Sequence, residues 1–131
     1  MSMHAKGTFD VTMTPQKDEG LDAGLGRFML EKIFHGDLEA RGKGQMLTAG
    51  TDVQGSAVYV AVEKVTGTLG GRAGGFSLYH QGVMIRGTPC LAVTIVPDSG
   101  TGGLQGITGT LGIDILDGRH FYDLAYTVPT G

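Results

Sequence analysis

Three kinds of residue here could do chemistry: an acid at Glu63, histidines at His35, His80 and His120, and tyrosines at Tyr59, Tyr122 and Tyr126. Glu63 follows Tyr59 by four residues in an apolar run, a spacing that in a strand sets both on one side. With His80 or Tyr122 they could exchange protons with a bound molecule, or Glu63 is a hydrogen-bonded wall or interface carboxylate. The three histidines fall in different runs and could meet Glu63 on a metal, yet no HxH or HxxxH spacing supports this. No metal or other cofactor is expected. Cys90, beside Pro89, would be a nucleophile only with a histidine base and oxyanion donors; neither is visible, and it reads as a small core residue. Glu31, Glu39 and Asp114 could be glycosidase carboxylates only at a defined separation, and they read as solvated.

"VPDSGTGGLQGITGTLGIDIL", from Val96 to Leu116, holds six glycines and resembles a phosphate loop. A GxxxxGK[ST] loop needs lysine and a hydroxyl in fixed places, and neither is there. A GxGxxG pattern counted from Gly100 fails at Gln105. The continuation "GITGTLGIDI" alternates like a strand instead of opening a helix that could hold phosphate. A turn is the better reading than an anion nest.

The elements that must position these groups are strands. The 131 residues include 24 glycines, well above a usual share of roughly 7%, interleaved with valine, isoleucine, threonine and tyrosine. Eight strand-like runs follow one another: Gly7–Met13, Arg27–His35, Leu38–Ala49, Ser56–Leu69, Phe76–Arg86, Cys90–Pro97, Gly106–Leu116 and His120–Val128. The polar stretch Pro15–Gly24 is expected to be a mobile loop. Short connections imply antiparallel neighbours. Eight of these close most economically into an all-β, up-and-down meander barrel in one domain, with a two-sheet sandwich as the alternative.

Two hairpins fix which side chains share a face. Asp117-Gly118 is a two-residue turn signal that pairs Ile115 with His120, Ile113 with Tyr122, Leu111 with Leu124 and Gly109 with Tyr126. That face is the inner one, and the Tyr126 ring is expected to cover Gly109. An even-length turn in "LGGRAGGF" places Tyr59, Ala61 and Glu63 with Phe76, Leu78 and His80, also inside. Val58, Val60 and Val62 then point outward. Either that assignment is inverted or the valines meet another subunit, and a homo-oligomer is the favoured expectation.

The net charge of −3 comes with lysines and arginines scattered singly, so no basic stripe for nucleic acid exists. No apolar run approaches a bilayer span, and "MSMHAKG" offers no signal-peptide core. A single cysteine rules out an internal disulfide. A soluble, cytoplasmic protein is the default expectation.

"SGTGGLQGITGTL" resembles the GTG-x-apolar-x-(G/A)-x-x-G pattern of the allene oxide cyclase and dirigent barrels. Together with "GSAVYVAVEKVTGTLGGRAGGFSLYHQG" and "DGRHFYDLAYTV", the chain from about Ala5 to Val128 is similar to the bacterial domain-of-unknown-function family 3224. The resemblance implies an eight-stranded antiparallel barrel of allene-oxide-cyclase type and no established activity. No local motif transfers that cyclase's catalytic residues to positions here.

Three functions remain open. The barrel could bind a small, largely apolar ligand among Tyr59, Glu63, Leu78, His80, Leu111, Tyr122 and Tyr126. It could be an isomerase or cyclase using the same cavity. It could also be a filled scaffold acting through its surface.

Overall fold

A computed structural model describes residues 2–17 and 22–129. The strands are β1 (Met3–Pro15), β2 (Leu25–Gly36), β3 (Leu38–Gly50), β4 (Ala57–Leu69), β5 (Arg72–Ile85), β6 (Thr88–Ile95), the two-residue β7 (Thr101–Gly102), β8 (Thr108–Leu116) and β9 (Arg119–Thr127). Among the described residues no helix is long and apolar enough to cross a membrane. The sheet runs β4-β3-β2-β1-β9-β8-β6-β5, and β4 pairs with β5 to close it. The result is a closed eight-stranded antiparallel barrel, not a sandwich. Of the expected Pro15–Gly24 loop, Gln16 N donates to Arg27 O at 2.9 Å and Leu25 N to Asp22 O at 3.2 Å; residues 18–21 lie outside the described residues.

Turn chemistry sets the registers. Asp117 and Gly118 both have positive φ, 52° and 76°, as a type I′ hairpin turn requires. Leu116 accordingly faces Arg119, Ile113 faces Tyr122 and Gly109 faces Tyr126. Gly70 and Gly71 form the corresponding turn between β4 and β5, at φ 57° and 81°, so Ala61 faces His80 and Glu63 faces Leu78. Ala61, Glu63, Phe76, Leu78 and His80 are buried, whereas Val58, Val60 and Val62 are 42%, 46% and 61% exposed. The inner and outer faces are therefore as the sequence implies. The wall is uneven in one respect. β6 and β8 are joined by the single registered pair Thr94 and Thr110, while each other joint of the barrel registers at least seven.

One expectation needs correction. Cys90 is exposed: Val93 and Ile95 point inward at 3% exposure each, and strand alternation turns the cysteine to the outer face. A side chain at Gly109 would meet the backbone of Ala125 and Tyr126. The Tyr59 ring lies against Gly82.

One end of the barrel is solid. Leu38, Leu69, Leu78, Phe76, Leu111, Leu124 and Tyr126 pack there in a single apolar cluster. The glycine-rich segment after β6 plugs this end by inserting Leu104 and Ile107, each 1% exposed. Its amides are used internally, with Gly103 N on Ala73 O, Leu104 N on Thr101 O and Ile107 N on Leu104 O. Tyr122 latches the same end: its hydroxyl donates to His35 O at 2.9 Å and accepts from Leu38 N at 2.9 Å.

Candidate functional site

The other half of the barrel is open. Inward positions along β1 read Ala5, Phe9, Val11 and Met13, and exposure rises from 1% at Ala5 to 53% at Met13. A cavity of about 320 Å³ occupies this mouth, walled by Val11, Leu30, Met46, Leu91 and Ile113 and reached by Lys32, Tyr59, His80 and His120. Its volume is at the small end of ligand pockets. A second apolar hollow of about 300 Å³ shares Tyr59 and Leu91 as its wall.

The boundary between the open and filled halves is polar. Lys32, Glu63 and His80 are 6%, 3% and 5% exposed. Lys32 Nζ lies 3.2 Å from Glu63 Oε1 and 3.1 Å from Oε2. His80 Nε2 lies 3.3 Å from the same Oε1. The ammonium donates a directed hydrogen bond to Oε1 only, so Oε2 has its charge as company and no donor aimed at it. Lys32 Nζ also sits 5.1 Å from the Phe9 ring centre, a cation–π distance. Phe9 in turn stacks at 5.0 Å on His120.

The sequence of β3 explains how Lys32 and Glu63 meet. They stand on β2 and β4, roughly 10 Å apart with one strand between them. Lys32 is registered opposite Gly42, and Glu63 opposite Gly44. These two inward positions of β3 carry no side chain, so the long acid and base close over a bare strand. Gly44 has no alternative, because any side chain there would run into the backbone of β4 at Val62 and Glu63.

Burial pushes the Glu63 carboxyl up, but the His80 hydrogen bond and the Lys32 charge outweigh it and hold the group below its ordinary value. Glu63 is therefore ionised and only accepts, which assigns the proton to His80 Nε2. Tyr59 is pushed up, first by burial and then by the Glu63 charge, and stays a phenol. Burial likewise raises Tyr122, with Asp37 and Glu39 adding to it against the Leu38 hydrogen bond.

Of the residues singled out from the sequence, Tyr59 and His80 line the mouth and Glu63 lies beneath His80. Leu78, Leu111, Tyr122 and Tyr126 belong to the filled half. Lys32 joins this group without having stood out in the sequence. Its signal was present in "FMLEKIFHG", where Lys32 is in phase with Leu30 and Phe34 and so points inward. His35 is on the outer side with Asp10, 3.1 Å away. Among the described residues no cluster of three His, Cys, Asp or Glu side chains could hold a metal.

Comparison with known proteins gives a family and a fold. The family model described as "Protein of unknown function (DUF3224)" matches residues 5–126. No curated protein matches the sequence. The crystal structure of a protein with unknown function from the DUF3224 family of Shewanella oneidensis MR-1 superposes with a TM-score of 0.94 at 44% identity, covering 100% of both chains.

Proposed function

Since this chain belongs to the DUF3224 family, whose description carries no activity, we propose from the site alone that the open half of the barrel binds one small, largely apolar molecule with a polar end. The observation that supports this is the mouth cavity itself: about 320 Å³, apolar on its walls, with polar groups confined to a few positions. Apolar walls with a few converging polar groups are the usual form of a small-molecule pocket. Native mass spectrometry of the protein from its own host, followed by organic extraction, tests the reading. A co-purifying molecule of defined mass, lost from an Ile113→Trp variant that keeps its fold, is the expected result. The same molecule retained by that variant would place it elsewhere and overturn the proposal.

A second reading, an isomerase or cyclase in the same cavity, is favoured by the Glu63–His80 contact, which orients the imidazole as a proton carrier. It requires that Glu63→Gln stop turnover of the bound molecule without weakening its binding.

We also infer that the outer face is covered by a second copy of the chain. Val58, Val60 and Val62 are exposed together with Leu47 and Tyr79 on the neighbouring strands. An apolar patch that spans three strands is more often an interface than bare surface.

A further inference from the structure

We propose that the polar end of the molecule held in the barrel mouth is a carboxylate, received by Lys32 and Tyr59, so that the ligand class is a small aliphatic or aromatic monocarboxylate. The inference rests on the cavity reading above and adds the chemistry of the head group. Four polar side chains reach the cavity, Lys32, Tyr59, His80 and His120, and of these Lys32 and Tyr59 bring donors not spent on Glu63 alone. Among the described residues no aspartate or glutamate lines it. The one acid nearby, Glu63, is fully covered, its side chain 0% exposed beneath Lys32 and His80. The mouth therefore presents donors, with the acceptor behind them.

The donors have capacity left. An ammonium carries three N–H groups, and the two oxygens of Glu63 engage Lys32 from one side, at 3.1 and 3.2 Å. The Tyr59 hydroxyl remains protonated beside the cavity. His80 spends its Nε2 proton on Glu63 and holds that carboxylate in place. Lys32 brings a positive charge to the cavity wall. An anionic head meets an opposite charge there and an ammonium head a like one. The titratable groups facing the cluster are Lys32 from β2, Tyr59 and Glu63 from β4, His80 from β5 and His120 from β9. The inward residues of β3 at the cluster are glycines and contribute no charge.

Titration calorimetry of the full chain with octanoate, octanol and octylamine separates the head group from the cavity, because the three share one tail. Octanoate is expected to bind at least about ten-fold more tightly than either of the others. Its advantage should vanish in Lys32→Met/Glu63→Leu, which removes both buried charges together. Octanol or octylamine binding as tightly as octanoate overturns the carboxylate inference and leaves the cavity reading standing. If none of the three binds, the cavity reading itself falls. An octanoate advantage that survives in Ile113→Trp places the carboxylate site outside the mouth and overturns the inference too. The comparison of head groups uses the unaltered chain, so it holds even if a variant fails to fold.

Discussion

Lys32 and Glu63 meet over a strand that belongs to neither, closing to 3.1 Å above the bare backbone at Gly42 and Gly44. Each is nearly inaccessible to water, so the stability of each charge depends on the other. Lys32→Met alone should cost about 3 kcal/mol, toward the lower end for a broken buried pair because His80 still holds one oxygen. Lys32→Met/Glu63→Leu should recover most of that loss in a urea melt. A double variant no more stable than the single one would show that Lys32 does not hold the Glu63 charge in place.

The same pair fixes a direction for pH dependence. The folded carboxyl of Glu63 lies below its ordinary value of 4.5, because His80 and Lys32 outweigh burial. Its contribution is therefore complete above that ordinary value and disappears as pH falls through the lowered folded one. The stability difference between the native chain and Glu63→Gln, measured by denaturant melts, should shrink as pH falls below 4.5. A difference that grows on acidification would mean that burial wins and the carboxyl is raised.

Tyr59 and Gly82 make a second matched pair, the ring lying where a side chain at Gly82 would have to be. Gly82→Val should cost about 1–3 kcal/mol by forcing the ring aside. In a Tyr59→Ala background the same change should cost much less. Equal costs in both backgrounds would show that the barrel wall, and not the ring, excludes a side chain there.

Val60 tests the outer face. In Val60→Lys, light scattering should report the mass of a single chain, against at least twice that for the unaltered protein. An unaltered protein already at the single-chain mass would remove the second copy from the account.

Face and register were legible wherever a two-residue turn met a strict alternation. Asp117-Gly118 and Gly70-Gly71 each leave little freedom in pairing, and one residue of slip would expose Leu124 or Leu78. What the sequence did not disclose depends on how strands two apart lean toward each other. Lys32 and Glu63 lie 31 positions apart, and only the vacancies at Gly42 and Gly44 bring them together. Which half of the barrel fills was equally hidden, since Val11 and Leu111 look alike in sequence. The difference comes from the segment carrying Leu104 and Ile107, which reads as a turn and serves as a stopper. Small size suggests a core place for Cys90, but its phase against Val93 and Ile95 turns it outward.

The single rung between β6 and β8 has a mechanical meaning. Seven joints must break long ladders to part; this one breaks almost nothing. Leu91 and Ile113, on the two strands it joins, both border the mouth. The cylinder is thus held by the least backbone pairing along one seam, on the side where the mouth lies. Amide exchange in β6 and β8 should accordingly outpace that of β3 and β4.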